Sequence, residues 1–580
     1  MAGAAQAGPG AAGTKRSSRI VVHASGVLIA AVYVAILLAT AKDVGFARDE
    51  GFYFTASEQY MGWFQILAKD RKAALDRTTV DRHWRINSEH PPLMKILFGL
   101  SWKIFAKKLD WMRESTAFRF PGMLMAGLLL YLIVVFGTSI SDLRVGVFAA
   151  IALALHPRFF YHAHLDCFDV PIACMWFATM ACFWKSLASW RWAIVTGFVW
   201  GLALATKLNS FFIPIVLLMF WIAHYVREIG LRGSGPGSGR GGRIVVPAIP
   251  LAFFAMIVIG PLLLIALWPW LWFDTLNRFG GYLGFHQHHP YYNIAYFGYT
   301  WFQPPFPFSY PFVMTLITWP FVTMVLAFVG MGERLMASLR RMLPALGPLP
   351  LEVLAQERAR RGLNFFLAIN LLVPILLIAW PSTPIFGGTK HWSPSWPYIA
   401  LFAGYGFGTA CEGISRLLDR APRLIRAAAD GRAVVPWALG LLLLAPAAQQ
   451  TQASHPFGLS HYTMLAGETP GSADLGMCRQ FWGFTTGSAL GWLNKNVPPR
   501  GRVFFHDTAW DSYRMYQRDG TLRSDILWDG QIEGSDVSMV HWEHHMSGYE
   551  YAIWTSYDTV TPAEVVTHQG VPILLLYKSR

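Results

Sequence analysis

The chain has 580 residues, of which 54% are hydrophobic and only 14% charged, against about 25% charged in a typical soluble domain. Its five cysteines are too few for a disulfide scaffold and show no paired zinc spacing, so a soluble enzyme, a disulfide-built protein and a structural zinc protein are all disfavoured. The excess of 48 Lys+Arg over 34 Asp+Glu, a formal charge of +14, is read as membrane-loop and lipid-facing charge rather than as a nucleic-acid footprint.

The apolar residues fall in blocks near the length of about 20 needed to cross a hydrocarbon layer. Eleven spans are expected, near residues 20–41, 118–137, 145–162, 169–186, 193–207, 210–225, 247–268, 308–330, 363–380, 396–411 and 433–449. The fold class is therefore an α-helical polytopic membrane protein. Residues 1–19 form an Ala/Gly-rich leader ending in Lys15, Arg16 and Arg19, with no signal-peptide pattern, so the N-terminus is expected in the cytoplasm. Residues 20–449 make the membrane domain.

The apolar stretch Pro91–Phe105 is short and holds Lys95 and Lys103. If it crossed, the clusters Arg227–Arg243, Arg334–Arg361 and Arg416–Arg432 would all face outward, against the positive-inside rule. It is therefore laid along the outer surface, and residues 42–117 become one outer loop with two interfacial helices. Tyr53, Ala56, Tyr60, Trp63, Phe64 and Leu67 form the stripe of the first, and Leu93, Ile96, Leu97, Leu100 and Ile104 that of the second. Two helices buried in a globular loop domain are the alternative. Gly233–Gly242 lacks the strand and helix of a phosphate-binding loop and reads as a flexible cytoplasmic linker. Residues 450–580 turn polar, with strand-like runs Arg502–His506, Val537–His541 and Ile573–Tyr577 and a helical Trp510–Arg518, so a small α/β domain on the outer face is expected.

Ionisable residues beside spans are costly and mark candidate sites. Asp49 and Glu50 follow the first span at a helix start, where a carboxylate stays ionised as a base or metal ligand, or serves only as a cap. Glu89-His90-Pro91-Pro92 opens the next helix with Lys95 in its first turn, a place for a phosphate. His162-Ala163-His164-Leu165-Asp166 is a weak metal pattern, which leaves His164 and Asp166 as substrate or metal candidates, and Asp169 is a second acid on the same side. His286, His288 and His289 form a further cluster, readable as ligands, as a sugar site or as an interfacial belt. Arg158, Lys207, Arg278 and Lys390 are basic residues in short outer loops, against the charge rule, and suggest one shared anion such as a lipid phosphate.

Asp49-Glu50, Glu89-His90-Pro91-Pro92-Leu93-Met94-Lys95, Arg119-Phe120-Pro121, Asp169-Val170-Pro171 and Thr206-Lys207, in that order, resemble the protein O-mannosyltransferase family and its bacterial relatives, the lipid A aminoarabinose transferases. These are C-type membrane glycosyltransferases that use a polyprenyl-phosphate sugar donor. The resemblance implies transfer of a hexosyl or pentosyl group from such a donor to a protein, glycan or lipid hydroxyl on the outer face of a bacterial inner membrane, with inversion. It makes Asp49 the catalytic carboxylate, Glu50 its neighbour and Asp169 the second acid. It makes Arg119, Lys207, Lys95 and Lys390 binders of donor phosphate. Some relatives have Lys where this chain has His90, and some hold a metal through a Glu placed like Glu89 and a later His, here one of His286, His288 or His289; a divalent ion is left open. The competing classes are a transporter or flippase, which should show inverted repeats and mid-membrane charges, and a non-catalytic assembly protein. No repeat is visible and the motif residues are chemically intact.

Overall fold

The computed structural model describes residues 18–225, 230–232, 243–245, 249–340, 351–420 and 434–579. The leader up to residue 17, the Gly233–Gly242 linker and much of the three Arg clusters lie outside the described residues.

Every expected span falls on helix, but the count of eleven is not supported by length and hydropathy. Among the described residues four helices are long and apolar enough to cross a membrane: Arg19–Thr40, Glu114–Ile140, Phe321–Leu339 and Gly362–Ala379. A fifth would be the pair Leu143–Ala154 and Pro157–Ala163, bent by 74°, where Pro157 starts the second helix because it cannot continue the first. Trp190–Leu204, Leu208–His224 and Leu251–Leu267 are apolar but short. The expected span 308–330 is broken into Tyr310–Thr318 and a helix starting at Phe321, with Pro320 at the break. Close packing rests on small residues, as in other membrane bundles. A Cβ on Gly330 would lie 2.0 Å from the Phe402 carbonyl oxygen and one on Gly406 1.9 Å from that of Leu326, which locks Phe321–Arg340 against Trp396–Arg420.

The stripe on helix Arg48–Lys69 is covered by protein rather than facing head groups. Tyr53, Ala56, Tyr60 and Trp63 are buried, Tyr60 stacks on Trp84 at 4.0 Å, and helix Leu93–Ser101 comes so close that a Cβ on Gly99 would lie 2.7 Å from the Ser57 carbonyl oxygen. For this first helix the buried alternative is observed, because Trp84 and helix Leu93–Ser101 offer the stripe a protein partner; on the second helix Leu100 and Ile104 are exposed and Leu93, Ile96 and Leu97 half-buried. The second helix continues as a π-helical turn, Trp102–Lys108.

Of the strands, β1 (Gly230–Arg232) and β2 (Arg243–Val245) form one hairpin and β3 (Ile294–Tyr296) and β4 (Tyr299–Trp301) another. The C-terminal part folds as an α/β unit around five strands: β5 (Arg502–Phe505), β6 (Leu527–Asp529), β7 (Val537–His541), β8 (Glu564–His568) and β9 (Val571–Lys578), in the order β6-β5-β7-β9-β8. β5 runs parallel to β6 and β7, and β9 antiparallel to β7 and β8. Helix Trp510–Arg518, where the sequence places it, links β5 to β6 and packs against helix Arg48–Lys69. That contact is polar as well as close: Thr55 Oγ1 donates to Asp511 at 2.7 Å, the Phe46 amide donates to the Tyr516 hydroxyl at 2.7 Å, and Arg518 pairs with Glu58 at 2.6 Å. The C-terminal unit is thus seated on the segment that carries Asp49.

Candidate functional site

A cavity of about 610 Å³ gathers residues from distant parts of the chain. Asp49 enters it from the first turn of helix Arg48–Lys69, and Asp169 from the first residue of helix Asp169–Ser186. Both carboxylates sit at helix N-termini, whose free amides and dipole favour negative charge. Lys207, in the turn between two helices, donates to Asp169 Oδ1 at 2.5 Å. Lys390 opens the 3-10 helix Lys390–Ser395 that leads into helix Trp396–Arg420, with Nζ 3.7 Å from Asp49 Oδ2. Glu89, His90, His286 and His289 also line it, as do Arg48 and Asn209. The lining also holds an apolar set, Phe212, Pro374, Leu377, Ile378 and the exposed Trp380.

Asp49 is held from the C-terminal part of the chain: Trp482 Nε1 donates to its Oδ2 at 2.8 Å. The same indole carries Lys390, whose Nζ lies 3.3 Å from the ring centroid, an arrangement in which the ring's negative face substitutes for water around the ammonium. Trp482 adopts a left-handed backbone, φ 70°, uncommon for a bulky residue and characteristic of functional sites. Two contacts hold it there. The Arg48 amide donates to the Trp482 carbonyl at 2.8 Å, and Gly483 presses against the turn after β5, where a Cβ would lie 1.9 Å from the Asp507 carbonyl oxygen. Arg48 in turn pairs with Asp507 at 3.0 Å. Trp482, Arg48 and Asp507 are cavity-building residues that the sequence reading passes over; no local motif marks them.

The structure moves several expected site residues elsewhere. Arg119 does not reach the cavity: it is 1% exposed and its guanidinium is fully engaged. Nε and Nη2 form a two-pronged pair with Glu50 at 2.8 and 2.9 Å, while Nη1 and Nη2 donate to the carbonyls of Ala41, Val44 and Gly45. Glu50, fully buried, also accepts the amides of Ala47 and Asp166. It serves as a cap and as the counter-ion of Arg119, and lies away from the cavity beside Asp49. Lys95 is buried with Nζ donating to Asn87 O, Asn87 Oδ1 and His90 O at 2.5, 3.1 and 2.9 Å. Its three N–H groups shape the turn that presents Glu89 and His90. His164 is tied to Thr40 and to the Phe160 carbonyl, both at 2.8 Å, and Asp166 is buried against Glu50; neither lines the cavity. His288 is turned away, its Nδ1 on the Gly284 carbonyl. Of the four loop cations only Lys207 and Lys390 converge. Arg158 is buried between the rings of Tyr462 and Phe481, and Arg278 pairs with Asp81 at 2.8 Å.

Glu89, His286 and His289, among which the resemblance implies a metal in some relatives, line the same cavity. His286 Nε2 faces the Glu89 backbone carbonyl at 2.9 Å, and the Glu89 carboxylate accepts from Asn87 at 2.7 Å. Among the described residues no group of three or more His, Cys, Asp or Glu side chains is placed to hold an ion. Burial lowers His286 to about 4 and, helped by Lys95 and Lys207, holds His90 well below its usual range, so both are neutral near pH 7.

The site thus joins a helical domain carrying the acids and lysines to a C-terminal α/β unit that supplies Trp482. Residues 89–236 match the family described as dolichyl-phosphate-mannose-protein mannosyltransferase. The resemblance read from the motifs is borne out over that segment, which holds Glu89, Asp169 and Lys207 and leaves out Asp49, Lys390 and Trp482. Among solved structures, ArnT from Cupriavidus metallidurans bound to undecaprenyl phosphate is similar at 14% identity, covering 95% of this chain and 97% of its own, with a TM-score of 0.47. The oligosaccharyltransferase of Archaeoglobus fulgidus is similar at 12% identity, covering 93% and 72%, with a TM-score of 0.48. The search of curated proteins returns no match.

Proposed function

We propose that the chain is a membrane glycosyltransferase that moves a sugar from a polyprenyl-phosphate donor to an acceptor hydroxyl, with inversion, at the extracytoplasmic face. The observation that carries this is the composition of one cavity: a carboxylate at a helix start, two lysines and a wall of apolar side chains. The wall suits a polyprenyl chain, and the lysines suit its phosphate. Asp49 takes the proton of the acceptor hydroxyl as its oxygen attacks the anomeric carbon. The bond from that carbon to the phosphate oxygen breaks, and Lys207 and Lys390 take up the charge on the departing polyprenyl phosphate. A phosphate is a stable leaving group, so one carboxylate suffices where glycoside hydrolysis needs two. Asp169 holds Lys207 in place. Trp482 pins Asp49 Oδ2 and fixes the carboxylate plane. The N-terminus is cytoplasmic in this reading.

The test is single-turnover transfer from radiolabelled polyprenyl-phosphate sugars in reconstituted membranes. Asp49→Asn, nearly the same shape, should bind donor normally and lose about 10² to 10⁴ in rate. Near-normal turnover would remove Asp49 from the chemistry.

A further inference from the structure

Behind the wall formed by Arg48, Tyr292, Phe386 and Trp482 lies a second cavity of about 160 Å³, sharing those four residues with the first. It sits at the carboxyl ends of β5 and β7, where Asp507 and Glu543 follow the strands. From β5 the chain crosses by helix Trp510–Arg518 to β6 on one side, while β7 lies on the other. The crevice between the ends of β5 and β7 is therefore a topological switch point, the place where open α/β sheets bind ligands.

Its chemistry is specific. Gln480 is 3% exposed and lines the cavity, yet its Oε1 has no hydrogen-bond partner among the described residues. A buried amide oxygen without a donor is costly, so the position calls for a ligand O–H or N–H. His545 adds a second such atom, Nδ1. Glu543 Oε1 accepts the amides of Arg479 and Gln480, and burial raises its carboxyl to about 8, so it is mostly neutral near pH 7 and can donate. The Asp507 charge is met by Arg48 at 3.0 Å. No net charge is left for an ionic ligand, and the walls include the rings of Trp482, Tyr292, Phe481 and Phe386 beside Ile294, Cys478 and Met546. Donors and acceptors set between aromatic faces, in a volume below the roughly 300 Å³ of drug-sized sites, match one neutral ring bearing several hydroxyls.

We propose that this second cavity is the acceptor subsite and that it takes a neutral sugar ring of a glycan or glycolipid. The assignment rests on the glycosyl-transfer reading. Trp482 then borders both substrates, its N–H on Asp49 in the first cavity and its ring lining the second.

The experiment is saturation-transfer NMR on the full chain in lipid nanodiscs, titrated with methyl β-glucopyranoside, methyl β-glucuronide and inorganic phosphate in separate arms. Saturable binding of the neutral glucoside alone is expected, about three- to tenfold weaker in Gln480→Leu and in Asn293→Ala, the loss of one hydrogen bond each. Asn293 lines the same cavity from an exposed position, so its variant carries the test if Gln480→Leu does not fold; retained polyprenyl-phosphate binding reports folding. Competition of the glucoside by vesicles containing a glucosyl diacylglycerol supports a membrane-borne acceptor, and its absence a free glycan. Preference for the glucuronide or phosphate, absence of saturable binding, or unchanged affinity in both variants overturns the assignment. Polyprenyl-phosphate binding and the Asp49→Asn turnover, measured on the same samples, report separately on the transfer reading.

Discussion

Lys390 gives the proposed donor site a pH signature. Its side chain is 3% exposed, with Nζ 3.3 Å from the Trp482 ring centroid, 4.7 Å from that of Phe386 and 3.7 Å from Asp49 Oδ2. Burial outweighs the attraction of Asp49 and Asp169 and brings its ammonium down to about 8, with Lys207 adding to the effect. A lysine is charged below its pKa, so about nine tenths of the molecules carry this cation at pH 7 and about one tenth at pH 9. The donor phosphodiester keeps its single negative charge throughout. His391, the nearest imidazole, is held well below its usual range by burial and by the two lysines, and stays neutral in this window. Donor affinity should therefore be flat up to about pH 7 and fall roughly tenfold between pH 7 and 9. Lys390→Arg keeps a cation to much higher pH and should abolish the alkaline fall. Lys390→Met should be weak at every pH, by about 1.5 to 3 kcal/mol, the worth of a charged contact. Donor binding titrated from pH 6.5 to 9.5 in the three proteins decides it. An alkaline fall that persists in Lys390→Arg would refute the assignment of this titration to Lys390.

Three further outcomes separate structural from functional residues. Arg119→Ala leaves Glu50 buried without its counter-ion and should cost about 3 to 5 kcal/mol of stability, read as a lowered Tm, with donor affinity unchanged in whatever folds. Trp482→Phe keeps an aromatic face under Lys390 and removes the N–H on Asp49; turnover should drop about three- to tenfold, the scale of one hydrogen bond, and by more than donor affinity does. The proposed steps use only Asp49, Lys207 and Lys390, so transfer should survive treatment with a chelator, and activity lost to chelation and restored by a divalent ion would contradict the proposed mechanism.

Much of the fold was legible because it rests on local pattern. Apolar blocks mark the helices, and alternation marks β7, whose bounds Val537–His541 coincide with the sequence reading. Whether each block forms one straight helix was not legible, because apolar composition does not record a bend. His156-Pro157 bends one such block by 74° and Trp319-Pro320 splits another. The stripe on Arg48–Lys69 was ambiguous for a related reason. An apolar face has the same period whether it meets lipid or protein, and only Trp84 and helix Leu93–Ser101 decide that it meets protein.

The site was half legible, and the divide follows the helix. Asp49 and Glu50 are consecutive acids in one first turn, and successive side chains on a helix point about 100° apart. One consequently faces the cavity, while the other faces Arg119 and the bundle interior. A motif records that both acids are present and cannot record which of them sees the substrate. Loop cations behave alike: Lys207 and Arg158 break the charge rule equally, yet one lines the cavity and the other packs between Tyr462 and Phe481. Trp482 lay beyond any local signal, since it is 433 residues from the carboxylate it holds and its position depends on a left-handed turn that the approach of Gly483 to Asp507 makes possible. If the carboxylate is the base, its orientation is set from the C-terminal unit, and truncating the chain before residue 450 should abolish transfer even where the membrane domain inserts and binds donor. Full transfer by such a truncated chain would show that Asp49 is positioned by its own helix alone.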